Sequence, residues 1–526
     1  MENPPNKPSV FKRFFRKTLF VLAALITLAA LLLAEENWRG AHAWQSYKRA
    51  REAKGDRFDS ARLIPPAAPD DQNFAATPYF AANLEASPEM PRKITGNEAD
   101  LVESKDRNTS VLAKFQLPSP TDPPKRPAWQ YGLAADMTRW AAAFQGANPA
   151  PRAGNMGDPA QAAAFVLDQL KPLESALAEI QTASQRPFVR FNFPYEEFND
   201  PRVISVLPAH LADLKRIYRI LSLRAQAELV LGQSDKALND VRVLFRVDDG
   251  VKDEPLIISQ MVRWAGVAIL LQPVCEGLAE QRWSDAQLGV LQERLRKTDI
   301  LASTVLAFQG ERDICCNPSF DRGYMFPPGW NRLEQLSENQ NFDEALFPRI
   351  DLAAREINPG LNRSIDLAFY KSHPTNYYIS ALLHHRVLAT MMAPALSRVP
   401  EKAAHAQNEV DLAMLACALE RCRLATGQYT ETLDALVPRF VAVLPHDIIN
   451  GQPLKYRRAD KGRFILYSVG WNEKDDGGII ATIPATKSRP ARQDTLQGDW
   501  VLQYPERKWL TVRRRVRTRP SGRRNG

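Results

Sequence analysis

Apolar residues run without interruption from position 18 to 34, TLFVLAALITLAALLLA, with two threonines as the only polar groups. At ~1.5 Å of helical rise per residue such a run crosses a thin hydrocarbon layer, so it predicts a membrane-spanning helix. Lys7, Lys12, Arg13, Arg16 and Lys17 precede it, and Glu35 and Glu36 follow. That asymmetry predicts a cytoplasmic N-terminus and a body on the outer face of the inner membrane. Trp38, Trp44 and Tyr47 lie just past the run, where amphipathic rings favour the headgroup layer. The alternative is a cleaved secretory signal, for which Ala41 and Ala43 supply the A-x-A setting. The run exceeds the ~7–15 residues of an ordinary signal core, which favours retention. Either reading exports the body of the chain.

Beyond the anchor the pattern becomes polar and then proline-rich. Residues 63–128 hold eleven prolines, including Pro65, Pro66, Pro118, Pro120, Pro123 and Pro124. This density excludes long helices and predicts an extended strap with short helical turns. Asn73, Phe74, Tyr79 and Phe80 lie among these prolines, and clustered aromatics predict that the strap packs onto the body. From Asp158 a helical period takes over. Asp158 is suited to cap and Pro159 to open a helix whose apolar face is Val166, Leu170, Leu173, Leu177 and Ile180, kinked at Pro172. A second helix carries Leu207, Leu211, Leu214, Tyr218, Leu221 and Ala225. A third carries Ile257, Met261, Trp264, Ala268, Leu271, Cys275 and Leu278; its Arg263 and Pro273 argue against a second membrane span. Ser284 and Gln287 form a capping box that opens a fourth. Gly232 and Ala237 fit the turn of an αα-hairpin. Residues 315–347 break the period with prolines, glycines and aromatics and read as an aromatic loop. Helices then resume over 345–357 and 377–397, and a long one over 401–426 stops at Gly427.

Charge changes the picture little. The formal net charge is +9, and nine basic residues without an acid fall in the last twenty positions. The rest is near neutral and lacks the bias of a nucleic-acid-binding domain, so no nucleic-acid partner is expected. Five cysteines, Cys275, Cys315, Cys316, Cys417 and Cys422, are few for an exported chain and lack metal-site spacing, so buried thiols are expected.

After Gly427 come Tyr429, Leu433 and Leu436, a strand over 454–458, a turn over 460–462, a strand over 463–469, and the acidic segment Asn472, Glu473, Lys474, Asp475, Asp476, Gly477, Gly478. Over residues 401–483 this order resembles the globular end of type II secretion pseudopilins, in which a helix packs on a small antiparallel sheet ending in an acidic, glycine-rich loop. With Pro65, Pro66 and Asp70 to Phe74 in the strap, the whole layout is similar to single-pass envelope proteins of planctomycete and verrucomicrobial bacteria. The pseudopilin likeness implies a calcium site at Asn472, Asp475 and Asp476. Three side chains fall short of the six to eight oxygens that calcium takes, and an ordinary tight turn is the competing reading, with Lys474 or an arginine offsetting the charge.

The expected fold is mainly α with a small C-terminal α+β module. It is divided into a disordered cytoplasmic tip (1–17), an anchor (18–34), a juxtamembrane helix (35–62), the strap (63–128), an all-helical domain (129–400), a pseudopilin-like helix plus sheet (401–506) and a basic disordered tail (507–526). No histidine pair has a metal spacing, and no nucleophile elbow or phosphate-binding loop is present. Glu311 and Asp313 read as solvated helix charges. The function expected is a non-enzymatic, membrane-anchored envelope scaffold with the bilayer and an envelope protein as partners. The alternatives are an extracytoplasmic hydrolase with its site in the helical domain near the aromatic loop, or a minor pseudopilin-like secretion component.

Overall fold

The computed structural model describes residues 10–58, 60–77, 80, 111–120, 127–146, 157–191, 209–315, 327–371, 381–382, 384–459, 462–484 and 492–503. The first element, α1 (Val10–Glu52), is one unbroken helix of 43 residues. Its apolar part projects from the body: Phe14, Leu25 and Leu31 are all more than half exposed, and none of its most apolar window is buried. Length and composition make α1 a candidate membrane span or signal sequence. The same helix continues past the apolar run to Glu52 and turns at Gly55.

Over its described residues, 63–77, 80, 111–120 and 127–128, the strap takes the expected form. Short 3-10 turns at Ser60–Leu63, Asp70–Gln72 and Phe74–Ala76 alternate with extended backbone. Asn73 makes a parallel bridge with Phe188, and its side chain accepts the Arg190 N–H and donates to the Arg190 carbonyl. That fastening carries Phe74 into the core, where it meets Phe80 at 5.0 Å between ring centroids; Phe80 meets Phe191 at 5.5 Å. Tyr79 lies outside the described residues.

The helical body follows in chain order. Asp136 caps α2 (Met137–Phe144), and Asp158 caps α3 (Pro159–Leu170) with proline at its first position. A 3-10 turn containing Pro172 separates α3 from α4 (Glu174–Ala183). The hairpin of α5 (Ala209–Val230) and α6 (Ser234–Val251) turns at Gly232, whose φ of 74° is open to glycine at little cost. α7 (Ile257–Ala279) is buried, although it is long and apolar enough to span a bilayer. Its Arg263 forms a bidentate pair with Asp248 at 2.9 and 3.0 Å and donates to Ser303 Oγ and the Asp299 carbonyl, so the charge inside the core is fully partnered. The expected capping box opens α8 (Asp285–Arg296), and α9 (Ile300–Gly310) runs into a π-helical turn, Glu311–Cys315.

Three stretches depart from the sequence reading. Within the expected aromatic loop, Pro328 and Gly329 open a true helix, α10 (Pro328–Asn341), because proline at the first helical position lacks only an amide that would have no partner there. The expected helix over 345–357 is instead a π turn (Phe342–Leu346) and a 3-10 turn (Phe347–Arg349), followed by an Asp351–Glu356 bridge. Pro348 removes a helical donor, and Arg355 takes a left-handed φ of 55°. After α11 (Pro359–Lys371), the helix expected over 377–397 is present at Ala381 and Leu382, turns at His384 and His385, and resumes as α12 (Val387–Leu396); residues 372–380 and 383 lie outside the described residues, as do 316–326 of the aromatic loop.

The long helix α13 (Val399–Thr426) ends at Gly427 with φ 83°. It is buried along most of its length against α7, α8 and α9, and forms the spine of the body. β1 (Lys455–Ala459) and β2 (Arg463–Ser468) form the expected hairpin, with Tyr456 opposite Leu466 and Arg458 opposite Phe464. β3 (Ile480–Ile483) pairs with β4 (Arg492–Gly498), and β5 (Trp500–Val501) adds to β2. The protein is thus mainly helical with small antiparallel sheets near its C-terminal end. One contiguous hydrophobic core runs from Phe74 in the strap to Leu502 beyond β5. Cys275, Cys417 and Cys422 are buried free thiols, and burial pushes the Cys417 thiol up to about 12.

Candidate functional site

Three groupings of polar side chains bear on function, and the first is the acidic loop after β2. Asp475 and the other expected ligands, Asn472 and Asp476, each make hydrogen bonds of their own. Asp475 accepts the Tyr467 hydroxyl at 3.0 Å and the Gly477 N–H at 3.0 Å, and pairs with Lys455 Nζ at 3.4 Å. The Gly477 amide first, then Tyr467 and Lys455, hold its carboxyl below the usual range. Asn472 donates instead to Asp476 Oδ2 at 2.9 Å. The buried Asp499 gathers the N–H groups of Asp476, Gly478 and Ile479 and so fixes the loop from behind. The countercharge is Lys455 on β1, not Lys474. Among the described residues no group of three or more His, Cys, Asp or Glu side chains is disposed to hold a metal ion. These pairings predict that millimolar calcium leaves the melting temperature of the full-length protein in detergent unchanged. A rise that disappears in the Asp475→Ala, Asp476→Ala double variant would instead assign calcium to the loop.

The second grouping joins α1 to the body. Gly40 of α1 crosses Gly329 of α10 so closely that a Cβ on Gly40 would stand 2.5 Å from the Gly329 carbonyl oxygen, and one on Gly329 would stand 2.5 Å from the Asn37 nitrogen. About two turns further on, Tyr47 donates to Asp343 at 2.5 Å, and one turn after that Arg51 pairs with Asp343 at 3.1 Å and with Asp56. Arg312 lies at the centre. Its guanidinium meets Asp313 at 2.8 Å, Asp343 at 3.0 Å and Asp56 at 3.5 Å, between the faces of Phe58 and Phe347. Arg62 of the strap closes the set on Asp313 at 2.7 Å. Arginines 51, 62 and 312 thus balance aspartates 56, 313 and 343. Burial opposes the charge on Arg312, yet Asp313, Asp343 and Asp56 together raise its pKa. Asp313 and Asp343 come from the two π turns, whose wider winding is common where side chains must be re-aimed. The reading of Glu311 and Asp313 as solvated charges is therefore corrected: Asp313 is buried, and Glu311 accepts the N–H of Ile257 at the start of α7.

The third grouping is a narrow cleft between α13 and β5, with room for about one water molecule. Trp129, Gln130, His405, Glu409, Trp500 and Gln503 are among its lining residues. His405 Nδ1 lies 3.5 Å from Glu409, its ring stands edge-on to Trp500 at 5.1 Å, and Gln130 donates to Glu409. Among the described residues no serine, threonine or cysteine lines it. Elsewhere Glu228 is a buried carboxyl whose pKa burial pushes up to about 8, but it faces Asp240 and Arg224 inside the α5–α6 hairpin.

No family model, curated protein or solved structure matches the chain. Sequence reasoning missed the α1 junction because its charges come from five separate segments. The His405–Glu409 spacing of four on one helix was a visible signal, whereas its tryptophan and glutamine neighbours were not.

Proposed function

We propose that the protein is a membrane-anchored scaffold or interaction protein, with its body held outside the cytoplasm on a stalk that is part of the fold. The observation that carries this reading is the continuity of α1: its apolar part is exposed, and the same helix, without a break, is docked into the body from Glu36 to Arg51. The Ala41–Ala43 signal-cleavage setting falls inside that docked helix, between the buried residues Gly40 and Trp44. Cleavage after Ala43 would remove Glu36 and Gly40, and with them the contacts to His385 and Gly329, so retention as an anchor is favoured. The likeness of residues 401–483 to the pseudopilin globular end is carried as part of the same reading, as a module for contact with an envelope protein; membership of a secretion filament would require processing near the membrane. A hydrolase remains the second reading, and the His405–Glu409 pair on the cleft is what favours it.

The expected outcome is that the full-length protein stays in the membrane pellet after alkaline carbonate extraction. A reporter active only outside the cytoplasm works when fused after Gly526. Release into the supernatant would indicate a cleaved signal, and activity of a cytoplasm-only reporter would reverse the topology. The Glu409→Gln variant should retain partner capture from detergent-solubilised membranes; loss of a hydrolytic activity in that variant would favour the enzyme.

A further inference from the structure

Among the described residues the body first touches α1 at Glu36, two residues after the apolar run ends at Ala34, which is ~3 Å of helical rise. No free length of helix separates the body from the end of the run. From that level the packing runs away from it. α10 lies alongside α1 in the same direction, since its Gly329 meets Glu36, Asn37 and Gly40, while Asp343, just past its end, meets Tyr47 and Arg51. The start of α10 is therefore the membrane-proximal end of the body.

The turn at 381–386 is held at the same level. His385 Nε2 lies 2.5 Å from Glu36 Oε1, and its ring packs against Trp330 at 4.4 Å. Within the turn the Arg386 N–H donates to the Ala381 carbonyl, which buries Ala381 and leaves Leu382, at 47 % exposed, and Arg386 on the surface. Pro327 and Pro328 are exposed beside them, and Trp38 is exposed on α1, stacked on His42.

We propose that this end of the body rests in the headgroup layer of the bilayer, with Leu382 and Trp38 as its apolar contacts and Arg386 directed to lipid phosphate. The proposal rests on the reading of α1 as a retained anchor. An apolar run of seventeen residues is ~26 Å long against a hydrocarbon core of ~30 Å, and such a shortfall draws flanking residues towards the bilayer. Glu35 and Glu36 both lie within reach of Arg39, and Arg386 supplies a second positive charge, so the face has no large excess of either sign. Its partner is the lipid interface in general, not an anionic patch.

Full-length protein reconstituted in phosphatidylcholine vesicles tests this, with an environment-sensitive fluorophore on one introduced cysteine and Cys315 and Cys316 replaced by serine. Labels are placed by Leu382→Cys, Arg386→Cys, Lys54→Cys and, within the apolar run, Leu25→Cys. Lys54 follows the end of α1, ~24 Å of helix beyond Glu36, and serves as the distant site. A nitroxide on the lipid headgroup should quench the labels at 382 and 386 about twofold or more over that at 54. Equal quenching at all three, with the Leu25→Cys label quenched by an acyl-chain nitroxide, would overturn the seating and leave the anchor intact. An unquenched Leu25→Cys label would overturn the anchor, and the seating with it.

Discussion

Replacing Phe74 by alanine is expected to lower the stability of the full-length protein by about 3–5 kcal/mol, the range for losing a buried phenyl ring from a packed core. The ring is fully buried, edge-on to Phe80, and belongs to the same core as the body. It is also poorly placed to relax. The Phe74 N–H donates to the Phe188 carbonyl and the Phe188 N–H to the Gln72 carbonyl, so the backbone on both sides is fastened and cannot collapse into the void. Denaturant unfolding of the detergent-solubilised protein should show a lower midpoint at unchanged slope. A loss below about 1 kcal/mol, typical of surface changes, would mean that the strap only spans distance between the stalk and the body.

A comparable effect is expected from Arg312→Met, by a different mechanism. Deleting one partner of a buried ion pair costs about 3–5 kcal/mol because it leaves uncompensated charge behind. Here the residue removed is the centre of the set, and Asp313 and Asp343 would each lose one of two cations, keeping only Arg62 and Arg51. The pH dependence separates this from lost packing. A buried carboxylate left short of cations is harder to ionise than the same group in the unfolded chain. A raised carboxyl pKa contributes stability below the unfolded value and loses it as pH rises through the folded one, so the deficit should shrink as pH falls towards about 4. A deficit that is constant with pH would assign the loss to the stacking of the guanidinium between Phe58 and Phe347.

Local signals were legible wherever the chemistry is local. Asp158 with Pro159, the Ser284–Gln287 box, Gly232 and Gly427 each act within one turn of backbone, and each stands where the sequence puts it. The stretches that misled are those where proline has two meanings. Pro328 begins α10, whereas Pro348 helps end a helical run, and only the surrounding packing distinguishes a first-turn proline from a breaker. The acidic loop was visible as a loop. Its countercharge was not, because Lys455 is brought beside Asp475 by the pairing of β1 with β2, a contact twenty residues apart in the chain.

The sequence by itself determined the apolar run, its flanking charges, the helical period of the body, the hairpin near the C-terminus and the packing of the strap's aromatics. All of these follow from periodicity and composition over a few turns. Only the tertiary structure decided that α1 packs against the body. Gly40 and Gly329 are separated by nearly three hundred residues and are unremarkable until both helices are seen to need the same space. Arg312 likewise reads as a surface arginine until Asp56, Asp313 and Asp343 surround it. Charge neutralisation and close helix contact depend on which distant segments meet, and a one-dimensional pattern carries no record of that.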